Sequence, residues 1–110
     1  MTEQEKTIEY DAQDIEENKT IAGLAYLIFF LPLIATPDSK FAKFHANQGL
    51  ILFILAVAGN IILGMIPFIG LLLIPIFTLF ILVLVIIGLM NGLNGKSKEL
   101  PLIGKFRIIK

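Results

Sequence analysis

The run Lys43-Phe44-His45-Ala46-Asn47-Gln48-Gly49 concentrates the side chains most able to do chemistry: a cation, an imidazole and two carboxamides at the head of a long apolar stretch. On a helix, His45 and Gln48 stand three apart and therefore on one face. Such a patch can bind a lipid head group or an acidic segment of a partner, or line a polar crevice. The same groups can instead satisfy neighbouring backbone and fix the depth of the helix. Spacing alone leaves both uses open.

Catalysis is a poor fit. Asp38, Ser39 and His45 fall within eight positions of one loop, but nothing there orients a nucleophile or builds an oxyanion hole, so no catalytic residue is expected. The chain has no cysteine and one histidine, which removes thiol chemistry and Cys/His metal centres, so neither metal nor cofactor is implied. Asp, Glu, Lys and Arg are absent from 20–37 and from 44–95. Ion-coupled carriers place such groups inside the membrane. Coupled transport is therefore not expected either.

The elements that carry these residues follow from composition. Of 110 residues, 56% are hydrophobic and 16% charged, with a mean hydropathy of +0.86. A soluble chain this short could not bury that much apolar surface. The prediction is an all-α integral membrane protein with three transmembrane helices, an acidic N-terminal tail and a basic C-terminal tail. Net charge is zero, which gives no reason to expect nucleic-acid binding.

Residues 1–19 hold seven acids against Lys6 and Lys19 and read as a solvated tail in which Ile8, Ala12 and Ile15 could face one side of a short helix. Their acidic start lacks the basic head of a secretory signal, so no cleavage is expected. The membrane domain spans 20–94, with helices at about 20–36, 44–65 and 68–93 by bilayer length. Pro32 should kink or shorten the first of these. The third could begin near Pro67 or near Pro75, since proline favours the first helical position. Phe41 and Phe44 flank the loop lysines as interface anchors. Asn60, deeper in the second helix, should bond to another helix, with Tyr26 or Thr78 as partner, and Gly59, Gly88 and Gly92 should let backbones approach closely.

The tail 95–110 alternates cations with Leu102, Ile103, Phe106, Ile108 and Ile109. Such a mixture suits a surface of anionic lipid, and it equally meets the topological demand for cations on the cytoplasmic side. With three crossings, seven cations (Lys40, Lys43, Lys96, Lys98, Lys105, Arg107, Lys110) share one side against Lys6 and Lys19 on the other. The positive-inside rule then puts the N-terminus outside and the C-terminus in the cytoplasm of a bacterial cytoplasmic membrane.

Two motifs carry a resemblance. Phe44-His45-x-x-Gln48 opens one helix, and Asn91-Gly92-x-x-Gly95-Lys96 with Pro101 follows the last. Over about 19–109 the chain resembles the bacterial relatives of the Tic-type chloroplast import component. The resemblance implies a helical membrane protein, and in plastid members a four-helix subunit of a preprotein translocon; this chain has room for three crossings. The expected function is that of a non-catalytic accessory or scaffold component acting through membrane lipids, anionic ones among them, or an unknown membrane protein partner. The alternative is a homo-oligomeric channel or translocation pore lined by His45, Gln48, Asn60 and Thr78.

Overall fold

Asp11 starts the first helix by accepting a hydrogen bond from the Asp14 N–H at 3.4 Å, as N-cap residues do. In the computed structural model, which describes residues 10–109, four helices follow in order: α1 (Ala12–Leu24), α2 (Leu31–Ala35), α3 (Lys40–Gly64) and α4 (Ile69–Leu93). The expected tail charges at Glu3, Glu5, Lys6, Glu9 and Lys110, and the apolar position Ile8, lie outside the described residues.

One carboxylate joins the starts of α1 and α3. Asp14 accepts from the Ser39 hydroxyl, from the Phe41 N–H at 3.0 Å and from Asn18 Nδ2 at 2.9 Å. Ser39 in turn caps α3 by accepting from the Ala42 N–H at 3.0 Å. The first N–H groups of a helix have no partner within it. Here an acid on another helix supplies one, with the charge that the helix dipole favours.

α3 and α4 each contain 25 residues, about 37 Å at 1.5 Å per residue, against a hydrocarbon layer near 30 Å. Both are long and apolar enough to cross a membrane. They form an antiparallel hairpin: a Cβ on Gly59 would meet the Phe77 ring, and one on Gly70 the Leu63 carbonyl. The turn between them, 65–68, bears no charge and is tightened by Phe68, whose φ is 64°. α4 starts just past Pro67 and carries Pro75 within it. The helix continues through Pro75, as membrane helices often allow. Large side chains such as Leu71, Leu72, Ile76, Leu79 and Val83 stand exposed.

The first apolar run differs from the expected span over 20–36. It divides into the end of α1, a series of turns over 25–30 and the five-residue α2. Pro32 accounts for the break: it has no N–H to give the Ile28 carbonyl, which bonds the Leu31 N–H at 3.1 Å instead. The run also goes only part of the way along α3. Tyr26 lies beside His45, Phe29 stacks on Phe53 with ring centroids 5.5 Å apart, and α2 then leads back to Ser39 at the head of α3. α1 also packs along the end of α4. A Cβ on Gly92 would strike the backbone of Gly23, one on Gly88 the Tyr26 ring.

Two results are expected. Burial opposes the charge on Asp14, but the bonds from Ser39, Phe41, Asn18 and Lys40 outweigh it and hold the carboxyl below its usual 3.8. A lowered folded-state value gives stability that is complete above the unfolded value and is lost as pH falls through the folded one. Asp14→Asn should thus cost about 1 kcal/mol at neutral pH and flatten the acid limb of thermal stability below about pH 4; an unchanged acid limb would exclude this role. Separately, Gly92→Ala should lower the melting temperature, whereas Gly64→Ala, which meets open space, should leave it level or raise it. Equal effects at the two positions would contradict the packing described.

Candidate functional site

The helix stop at the end of α4 sets up the site. Gly95, at φ 73°, takes the left-handed position that glycine tolerates. Gly95 N–H then bonds the Gly92 carbonyl at 3.1 Å and Lys96 N–H the Asn91 carbonyl at 2.8 Å, the pair of a Schellman motif. This reversal aims the Lys96 carbonyl at His45 and sends residues 96–109 back across the first turns of α3.

Three polar positions in the first turns of α3, His45, Asn47 and Gln48, receive that segment. His45 Nε2 is 2.8 Å from the Lys96 carbonyl. A carbonyl only accepts, so Nε2 carries the hydrogen, and Nδ1 is left to accept from the Tyr26 hydroxyl at 2.6 Å. Gln48 donates to the Gly104 carbonyl and accepts from the Leu100 N–H, both at 2.9 Å. Asn47 donates to the Phe106 carbonyl at 2.6 Å and accepts from the N–H groups of Ile108 at 2.6 Å and Ile109 at 3.0 Å. His45 and Gln48 are 0% exposed and Asn47 1%. Leu100, also fully buried, packs with Tyr26, Leu52 and Leu84 beneath the segment.

Aromatic rings and one ion pair close the edges. Phe41 and Phe44 meet the His45 ring edge to face at 4.8 and 5.0 Å. Both are buried, not the interface anchors that the sequence suggests, because the imidazole and Tyr10 occupy their faces. Arg107 lies 5.3 Å over the Phe44 ring and pairs with the carboxylate of Glu99, itself buried.

The arrangement can hold a chain segment, and its geometry leaves His45, Asn47 and Gln48 little to offer a ligand. Lys43 is the member of the sequence cluster that points elsewhere, toward a cleft with Lys40 and Arg107. Asn60 is not part of the site. Its amide bonds the Ala56 carbonyl of its own helix at 2.7 Å and is exposed, while the expected partner Tyr26 is taken by His45. Gly59 and Gly92 face neighbouring helices and Gly88 the Tyr26 ring, and all three lie apart from the segment. The sequence reading did not single out Glu99, Leu100, Gly104 and Arg107 as parts of one unit. The signal was there in the Gly95 helix stop and in the turn residues Pro101 and Gly104, which imply a chain that doubles back.

The model of the magnetosome magnetite crystal formation protein family matches residues 17–108. The chain belongs to the MamF/MmsF family. It is 36% identical over 88 residues to magnetosome protein MamF of Paramagnetospirillum magneticum, covering 78% of each chain. It is 32% identical over 85 residues to magnetosome protein MmsF of the same organism, covering 76% of this chain and 78% of that one. A UPF0132 membrane protein of Archaeoglobus fulgidus is 34% identical over 91 residues, 78% of this chain and 88% of the relative. These relatives are named as magnetosome and membrane proteins, not as enzymes. No solved structure matches the chain.

The family match corrects the resemblance to Tic-type import components. Phe44-His45-x-x-Gln48 reports a local need, to pair backbone groups at a helix entry, which more than one family can meet with the same residues. A match over 17–108 outweighs two short motifs.

Gln48→Ala should orphan the Leu100 N–H and the Gly104 carbonyl, at about 1–3 kcal/mol per buried group. Amide hydrogen exchange should then accelerate over 97–109 before it does in α4. Unchanged protection of that segment would show that the bonds do not hold it.

Proposed function

We propose that this protein is a non-catalytic, multi-pass scaffold of the cytoplasmic membrane, acting through protein and lipid contacts, and serving magnetite crystal formation as the description of its family states. The observation that carries the reading is the use of His45, Asn47 and Gln48. The polar groups best suited to chemistry are buried and bonded to the chain's own backbone, so what the molecule offers its surroundings is a rigid helical body. The exposed apolar faces of α3 and α4 support a lipid setting, since contiguous apolar surface on this scale does not stay in water. The oligomeric pore gains less support: His45 and Gln48 are unavailable to line it, and the Asn60 amide donates to its own helix.

The topology we propose has two crossings, α3 and α4, with α1 and α2 as a re-entrant pair. Support comes from the depth of the first run, which reaches Phe53, about 20 Å along α3 from Lys40, and returns to the side it came from. Backbone inside a membrane is tolerated when it is buried against protein, and Ala22, Ala25, Tyr26 and Pro32 are. On this topology the cations of the described residues share one side with the acidic tail, while the turn 65–68 has none. The positive-inside rule then makes the charged side cytoplasmic.

The natural lack of cysteine makes the test direct. In intact cells an impermeant thiol reagent should spare both Gln13→Cys and Asp38→Cys and label Met65→Cys. Labelling at Gln13→Cys with sparing at Asp38→Cys would instead restore three crossings. For the scaffold itself, proteoliposomes should show no solute flux; flux that scales with copy number would favour the pore.

A further inference from the structure

Lys40, Lys43 and Arg107 converge on one cleft of about 340 Å³, completed by Tyr10, Phe44 and Asn47. Glu99 balances Arg107, but neither lysine pairs with a carboxylate among the described residues. Lys40 also borders the acidic cleft of Asp11, Asp14, Glu17 and Asp38, so Lys43 is the cation most fully committed to the basic side. Immediately below, and sharing Arg107, is a second groove of about 410 Å³ whose walls are almost wholly apolar: Ile51, Ile54 and Ala58 on α3, and Ile103, Phe106 and Ile108 on the returning segment.

The two grooves meet at Arg107, on either side of the place where the backbone of 106–109 crosses Asn47. Positions 40, 43, 44, 47, 51, 54 and 58 recur at three- and four-residue steps and make a single stripe along α3. From Asn47 to Ala58 the helix rises about 16 Å, close to half of a 30 Å hydrocarbon layer. The stripe is thus cationic at the depth of head groups and apolar through one leaflet. Arg107 stands at the boundary between the two.

We infer that these adjoining grooves are a binding site for one anionic phospholipid, its phosphate at Lys40 and Lys43 and an acyl chain along Ile51 to Ala58. Charge complementarity selects an anionic head group, since basic pockets at a membrane surface hold such lipids, and the apolar groove adjoining it at Arg107 selects a lipid over a free anion. The inference rests on the membrane-embedded reading and names the class of lipid that it engages. The site would give the scaffold a preferred membrane composition, set by a groove whose outer wall is the segment that His45, Asn47 and Gln48 hold in place.

The test uses the full chain in a neutral detergent, with phosphatidylglycerol, phosphatidylcholine of the same chain length and glycerol 3-phosphate as probes, and with bound lipid counted by native mass spectrometry. Phosphatidylglycerol should bind in one copy and at least tenfold more tightly than phosphatidylcholine. Lys40→Gln with Lys43→Gln should remove most of that preference, because each surface cation contributes about fivefold to anionic-lipid attraction. Ala58→Trp, at an exposed position, should weaken both lipids by filling the groove. Thermal stability of each variant without lipid, equal to that of the parent, shows that the fold is kept. Equal affinity for the two lipids overturns the inference, as does a preference that survives the lysine double variant. Glycerol 3-phosphate binding as tightly as phosphatidylglycerol would also overturn it, in favour of a free-anion site. A chain that stays monodisperse after detergent removal would instead overturn the membrane reading itself, whereas a firmly embedded chain without lipid preference overturns the inference alone.

Discussion

The structure depends on one requirement: polar groups cut off from water must find partners within the protein. At the head of α3, an imidazole and two carboxamides are buried side by side, and the polar groups they face belong largely to the backbone of the returning segment. That segment contains too little regular structure to satisfy its own amides and carbonyls. Each side therefore makes the other's burial possible. The Schellman stop at Gly95 sets where the chain reverses, the Pro101 to Gly104 turn brings the Leu100 N–H and the Gly104 carbonyl onto the same Gln48, and Asn47 binds the end of the segment at Phe106, Ile108 and Ile109.

The same economy explains the close packing of α1. Gly49 meets the Ala25 carbonyl and Gly92 the Gly23 backbone, so the first apolar run can press between α3 and α4 at the level where Tyr26 reaches His45. Tyr26 belongs to both systems. Its hydroxyl fixes the imidazole tautomer and its ring covers Gly88. The two motifs at 43–49 and 91–101 are in this sense one device: the first supplies the side chains, the second the backbone they grip.

Much of this was legible in the sequence. The charge-free stretch 44–95 reveals two long apolar helices, and the polar cluster at its head marks the place where the fold is fastened. The first apolar run was harder to read. Its length suits a crossing, and only Pro32 signals that it is broken; whether such a run crosses or turns back depends on what α3 and α4 offer it, which periodicity does not encode. The tail shows the same gap. Alternating cations and apolar residues describe a membrane surface and a wall of a groove equally well, and the choice is made by Asn47 and Gln48, some fifty residues away. Asp14 and Ser39 are likewise 25 positions apart, each ordinary in its own neighbourhood. As for the family, a seven-residue motif reports hydrogen bonding at one helix entry, and kinship needs the whole chain.

The uncharged turn at 65–68 bears on how such a chain enters its bilayer. Moving a charged side chain through hydrocarbon is costly, and a hairpin whose tip carries none is spared that cost. With their backbone amides already bonded within each helix, α3 and α4 can be delivered together as a folded pair, tip first. On the proposed two-crossing topology, biogenesis would leave the ionised groups of the described residues on the side where the ribosome made them, and the last event of assembly would be residues 96–109 settling onto a hairpin already in place.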